Sequence, residues 1–214
     1  MIYLSKLILP VNRKIDNVYQ LHQLLWKAFS NGAEKERDYL FRLESRTRRG
    51  YVVLVQSRSQ PQWDQVLEAD EYEMKSFDPI FSKGERYLFF LRANAVVSQR
   101  SEKNKRGKKV PLAPAAYVDQ AVIQDGVCVE VKPGWLSRRA EDAGFRVSVA
   151  SNRGRYRAEG WSKGKKSKPP IVLIGQDLDG VLEVTDSDRF YQTYVNGLGR
   201  GKGFGFGLLS LSKG

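Results

Sequence analysis

His22 is the only histidine in a chain of 214 residues. An imidazole titrates near neutral pH, so it can take or give a proton in a reaction at pH 7. Tyr19 lies three residues before it and Trp26 four after. On a helix the three share one face, with a phenol beside the imidazole. The plainer alternative is a surface imidazole packed on Trp26. A second candidate lies near the C-terminus. Gly197, Gly199, Gly201, Gly203, Gly205 and Gly207 alternate with Leu198, Arg200, Lys202, Phe204 and Phe206. Alternate glycines let a backbone approach a bulky anion and aim amide N–H groups at it, and Arg200 and Lys202 add charge. The segment lacks the Gly-Lys-Ser/Thr ending of a nucleotide P-loop. It also follows a helical pattern and precedes a strand, the reverse of the dinucleotide-binding order. It reads as a phosphate-backbone clamp or as a flexible turn before the last strand.

Arg153, Arg155 and Arg157 occupy alternate positions. On a regular strand all three guanidinium groups would share one face, offered either to solvent or to RNA phosphates and guanine edges. Asp177 and Asp179 are a close carboxylate pair, but Asp179-Gly180 reads as a hairpin turn, so no metal role is assigned to them. Cys128 is the only cysteine, which excludes an internal disulfide, and one cysteine with one histidine cannot build a His/Cys zinc site. No cofactor is expected.

The elements that would position these groups read as follows. Residues 2–9 form a strand ended by Pro10. Asp16 or Asn17 caps a helix to about Ser30 whose apolar positions Val18, Leu21, Leu24, Leu25 and Ala28 follow the helical period, with Asn31-Gly32 as the stop. Residues 39–44 and 51–56 alternate as a hairpin around the basic turn 46–50, residues 61–67 suggest a short helix, and 72–77 and 86–91 are extended. This β-α-β-β-α-β order is that of a ferredoxin-like split βαβ unit. Residues 100–110 read as a charged loop without periodicity. A hairpin around Asp125-Gly126, a short helix from Trp135, a strand from Phe145, strands at 171–176 and 181–184, and a helix capped by Asp186 or Ser187 follow.

The net charge is +12, and its placement is informative. Residues 100–110 hold six basic residues and one acid, and residues 132–168 hold eleven and three. The remainder holds nineteen basic and twenty acidic groups, a net of −1. A polyanion-binding surface on an ordinary globular scaffold fits that pattern. At 41% hydrophobic residues the chain can bury a core. No run of about 18 apolar residues exists, so no membrane partner is expected. No signal peptide is visible, and a cytoplasmic location is expected.

Taken together, the segments YLSKLIL, VYQLHQLLWKAF, DYLFRLE, YVVLVQS, GERYLFFLRANAV, WLSRRAEDAGFRV, GVLEV and GLGRGKGFGFGLLSL resemble, in this order, the CasE family. These are CRISPR repeat-processing endoribonucleases of type I-E systems and subunits of Cascade. The resemblance spans most of the chain and implies an α+β fold of two tandem ferredoxin-like (RRM-like, βαββαβ) domains. The expected division is residues 1–97, a basic interdomain loop at 98–117, and residues 118–214. It further implies metal-independent cleavage at the base of a repeat hairpin, leaving a 2′,3′-cyclic phosphate and a 5′-hydroxyl. The expected partners are CRISPR repeat hairpin RNA and other Cascade subunits. The family's catalytic histidine and tyrosine fall on His22 and Tyr19, and its glycine-loop lysine on Lys202. RNA binding is expected from Arg153, Arg155, Arg157, Arg200, Gly199, Gly201, Gly203, Lys105, Arg106, Lys108 and Lys109. Three departures stand out. Ala95 replaces the usual proline after Leu-Arg-Ala-Asn, 118–134 is longer than usual, and 163–168 is unusually basic. The rival expectation is a subunit that holds a hairpin without cutting it.

Overall fold

A computed structural model describes residues 1–13, 15, 17–29, 37–48, 50–101, 104–161 and 170–213, with backbone only at 46, 100, 101 and 104–107. Strand β1 (Ile2–Pro10) turns Leu7 and Leu9 fully inward. Helix α1 (Val18–Lys27) lays Leu21 and Leu25 on them. Strands β2 (Tyr39–Arg46) and β3 (Gly50–Ser57) add Phe41, Val53 and Val55 to the same core. Fully burying such an aliphatic side chain contributes about 1.5–3 kcal/mol. The helix expected at 61–67 is replaced by two single 3₁₀ turns, Trp63–Gln65 and Ala69–Glu71. Trp63 plugs the core edge there and donates its indole N–H to Ser5 Oγ at 2.8 Å. Strand β4 (Tyr72–Phe77) then pairs with β1. The sheet order is β2-β3-β1-β4, antiparallel throughout, which is the ferredoxin-like arrangement.

The second sheet repeats that order with new strands. It is built from β5 (Arg86–Ala93), then, after two hairpins and a helix, β10 (Phe145–Gly160), β11 (Ile171–Val184) and, after α3 (Ser187–Asn196), β12 (Leu209–Lys213). Its order is β10-β11-β5-β12. The sequence-based division at residue 97 is therefore corrected. Strand β5 is an inner strand of the second sheet, and the sheets separate between Phe77 and Arg86. Residues 98–117 are not an interdomain loop either. Strands β6 (Val96–Ser101) and β7 (Asn104–Pro111) pair as an antiparallel hairpin inserted after β5. The charged run hid this hairpin, because all its side chains can be solvated and none needs to alternate. The expected hairpin around Asp125-Gly126 is present as β8 (Gln120–Gln124) and β9 (Val127–Lys132). Helix α2 (Trp135–Ala140) and α3 cover the inner face of this sheet through Leu136, Ala140 and Phe190. Ala95 donates its N–H to Tyr117 Oη at 3.0 Å, a bond that proline at that position could not make.

Asp179-Gly180 is not a turn. Strand β11 runs straight through it, and a Cβ on Gly180 would collide with the Val149 carbonyl of β10. The glycine is there for close approach between strands. Two buried guanidinium groups tie the sheets together. Arg42 of β2 donates to Glu44 Oε1 at 2.6 Å, Ser210 Oγ at 2.7 Å and the Leu208 carbonyl at 3.1 Å. Arg92 of β5 donates to both Asp177 oxygens, at 2.7 and 2.9 Å, and to the Leu43 carbonyl at 2.7 Å. Its guanidinium also lies 3.5 Å from the centre of the Tyr156 ring.

Candidate active site

Asn17 starts the helix that carries His22. Its side chain accepts the backbone N–H groups of Tyr19 and Gln20 at 3.0 and 3.1 Å. Asp16, the Asn31-Gly32 stop and the basic segment 163–168 lie outside the described residues. With Leu21 and Leu25 turned into the core, Tyr19, His22 and Trp26 are left half-buried along one cleft, as their spacing predicts. Tyr19 sits at a three-way junction. A Cβ on Gly160, the last residue of β10, would stand 3.0 Å from Tyr19 Cβ and 3.2 Å from the Phe204 ring. The glycine segment packs against α1 through its single 3₁₀ turn, Lys202–Phe204. Gly201 and Gly205 flank that turn with φ of +74° and +83°, a left-handed backbone that favours glycine on both sides of Lys202.

The partner that holds His22 is Tyr39, at the start of β2. Tyr39 Oη lies 2.9 Å from His22 Nδ1 and 3.2 Å from the His22 carbonyl oxygen. A carbonyl only accepts, so the arrangement that satisfies both contacts sends the phenol proton to the carbonyl and the Nδ1–H to the phenol oxygen. Nε2 is then the lone-pair nitrogen. Burial, followed by the nearby Arg37 guanidinium, lowers the His22 pKa, so the imidazole is neutral at pH 7. Burial and the same guanidinium lower the Lys202 pKa. Burial raises that of Tyr39, which stays a phenol. Arg37 is thus the residue common to the histidine and the glycine loop.

Sequence reasoning missed both Arg37 and Tyr39. Tyr39 reads as the first residue of an alternating strand, and nothing local announces a histidine 17 residues away. Arg37 reads as one more charge before that strand.

The expected RNA-binding residues do not form one surface. The arginine ladder is split by a β-bulge between Asn152 and Gly154. Arg155 and Arg157 stand opposite Gln176 and Ile174. Arg153 turns to the other face and donates to Asp179 Oδ2 at 2.6 Å. The expectation of three guanidinium groups on one face is corrected accordingly. Arg157 Nη2 pairs with Glu159 at 2.9 Å and lines a groove with Asn17 and Val18 at the start of α1. Arg200 and Gly199 line a different cleft with Lys109, Trp135 and Arg139, away from the one lined by His22. Gly199 and Gly201 have positive φ, whereas Gly203 lies inside the 3₁₀ turn. Lys108 and Lys109 are exposed on β7, and the side chains of Lys105 and Arg106 lie outside the described residues.

Among the described residues no group of three or more His, Cys, Asp or Glu is placed to hold a metal ion. No described helix is long and apolar enough to cross a membrane. Around α1 the structure gathers a neutral imidazole, a phenol and, on and against a glycine-flanked turn packed on the same helix, Lys202 and Arg37. That set can move one proton and receive one anion.

Residues 2–213 match the family described as "CRISPR associated protein". The CRISPR-associated endoribonuclease Cse3 of Thermus thermophilus is 33% identical, with 98% of this chain and 99% of that protein covered. The CRISPR system Cascade subunit CasE of Escherichia coli is 30% identical, with 98% of each covered. A solved structure of Cse3 bound to a 19-nucleotide RNA superposes with a TM-score of 0.75 at 31% identity, covering 99% of both chains. The order of elements, the two sheets of like topology and these end-to-end matches agree: the chain belongs to the CRISPR-associated protein family that includes Cse3 and CasE.

Proposed function

We propose that the protein is a metal-independent endoribonuclease that cuts CRISPR precursor RNA at the base of the repeat hairpin. It leaves a 2′,3′-cyclic phosphate and a 5′-hydroxyl, and it stays on the product as a Cascade subunit in the cytoplasm. The observation that carries this reading is the contact of Tyr39 Oη with His22 Nδ1 and the His22 carbonyl, best satisfied by the tautomer with an unprotonated Nε2, on a helix packed against the glycine loop. The relatives named as an endoribonuclease and a Cascade subunit each match 98% of this chain, which supports the class of substrate.

The chemistry needs no protein nucleophile. His22 Nε2 takes the proton of the substrate 2′-hydroxyl, the 2′-oxygen forms a bond to phosphorus, and the bond from phosphorus to the 5′-oxygen breaks. The leaving 5′-oxygen takes a proton from solvent water, and the His22 imidazolium then gives its own proton back to solvent. Lys202 and the amides of its turn face the charge that develops on the phosphorane. Tyr19, fixed at the junction with Gly160 and Phe204, positions the scissile nucleotide. Arg155 and Arg157 hold the hairpin duplex away from the chemistry.

The test is incubation with the cognate repeat hairpin in EDTA, followed by end-group analysis of the products. A single cut with cyclic-phosphate ends that is lost in His22→Ala is expected. A hairpin that is bound tightly but left intact by the wild-type chain would identify a non-cleaving binding subunit instead.

A further inference from the structure

We propose that Arg37 is a direct ligand of the scissile phosphate, gripping it from beside the Lys202 turn. This deepens the endoribonuclease reading and rests on it. The first argument is the company that other arginines keep. Arg42 and Arg92 are buried and Arg13 is partly buried, and each is ion-paired, with Glu44 at 2.6 Å, Asp177 at 2.7 Å and Glu71 at 2.6 Å respectively. Arg37 is half-buried, its Nε is shielded from solvent, and among the described residues that nitrogen has no acceptor and the side chain has no carboxylate partner. Its sequence neighbour Asp38 is engaged elsewhere, accepting the Ser59 N–H at 3.1 Å. A desolvated cation without a counter-ion is costly, so the site is at its lowest energy with an anion in it.

The second argument is the glycine loop. A Cβ on Gly203 would stand 2.7 Å from Arg37 Nη1, so the bare backbone of the turn lies directly against the guanidinium. The third argument is the surrounding charge. His22 and Lys202 both lose protons more easily because of Arg37, and no described acid offsets it at either. Tyr19, Arg13 and Lys27 line the cleft with His22, Tyr39 hydrogen-bonds it from the start of β2, and Arg37 stands near enough to lower its pKa. Arg13 is already paired with Glu71, whereas Arg37 has no carboxylate partner among the described residues and is open to a doubly contacted phosphodiester. A guanidinium fork meets that geometry bidentately, which an ammonium cannot do.

The experiment uses the full chain. Because His22 is the only histidine, its ring resonances titrate without overlap in NMR. In Arg37→Gln the His22 pKa should rise, since one of the two causes that depress it is gone. Single-turnover cleavage of the cognate hairpin at saturating protein should fall about 10²-fold in Arg37→Gln. The acid limb of its pH–rate profile should move to higher pH. Affinity for a hairpin with a 2′-deoxy scissile nucleotide should change far less than the rate, and Arg37→Lys should recover only part of the rate. A folded Arg37→Gln variant that cleaves within about twofold of wild type, with an unmoved pH profile, would overturn the proposal. A wild-type chain that binds the hairpin without cutting it overturns the underlying reading instead, so the two failures are told apart.

Discussion

The two places where this protein gathers positive charge obey different rules. Strand β10 lies in the window of eleven basic residues and three acids, yet its arginines are exposed, and two of the ladder's three are answered by carboxylates, Arg153 by Asp179 and Arg157 by Glu159. The helix α1 site lies where the chain's net charge is close to zero, yet Arg37 and Lys202 stand beside it half-buried, and Arg37 lowers the pKa of both His22 and Lys202. Counting charges along the sequence finds the first place and misses the second. Charge acts strongly where water is excluded, so two desolvated cations shape chemistry more than many solvated ones.

Removing the proposed proton-moving group should break the cleft most completely. His22→Ala is expected to lower single-turnover cleavage about 10²–10⁴-fold while hairpin affinity is unchanged. Affinity that collapsed together with the rate would assign His22 to binding, and the distinction between a cutting cleft and a gripping strand would fail.

Tyr39→Phe comes next, and it tests the cleft without removing any charge. Without the phenol, Nδ1–H loses its acceptor and the two tautomers become free to exchange. The rate should fall about 10-fold. The nitrogen shifts of the single histidine should move from a protonated Nδ1 toward a mixture. A rate loss with an unchanged tautomer would reduce Tyr39 to a packing residue against Phe29, whose ring it stacks on at 4.5 Å.

How much of this was legible in the sequence depends on the distance over which each feature is encoded. The helix with Tyr19, His22 and Trp26 on one face follows from local period, and of the two cap candidates the sequence offers, Asp16 and Asn17, the helix uses Asn17. The ferredoxin-like order followed from alternating strands and turn residues. The boundary between units did not. Strand β5 carries the same pattern whichever sheet it joins, and only long-range pairing with β11 and β12 decides. The β6–β7 hairpin was hidden by a charged, solvated sequence. The bulge that splits the ladder was hidden because Asn152, Arg153 and Gly154 look like any polar strand. Tyr39 and Arg37 were invisible for a related reason. Their meaning lies in residues 15 to 165 positions away, on α1 and on the Lys202 turn.

The proposed RNA contacts of β10 are best tested by comparing its own arginines, where the effects are smallest and most diagnostic. Arg155 is exposed and has no ion pair among the described residues, so it can give its charge to a phosphate at no internal cost. Arg155→Gln should flatten the slope of log affinity against log salt by about 0.7–0.9 if it makes one phosphate contact. Arg157→Gln should do less, because its charge is already shared with Glu159 at 2.9 Å. Arg153→Gln should leave the slope unchanged, since the bulge turns it to the opposite face and onto Asp179. Equal effects from all three would mean that the duplex wraps both faces of β10 or that the bulge straightens on binding. The pairing with Asp179 would then have to break, and Asp179→Asn would strengthen binding by freeing Arg153. The measurement that separates these cases is the salt slope of the double variant Arg153→Gln, Asp179→Asn beside that of Arg155→Gln. A flat response in the first and a reduced slope in the second would confine RNA contact to the Gln176 face of the strand.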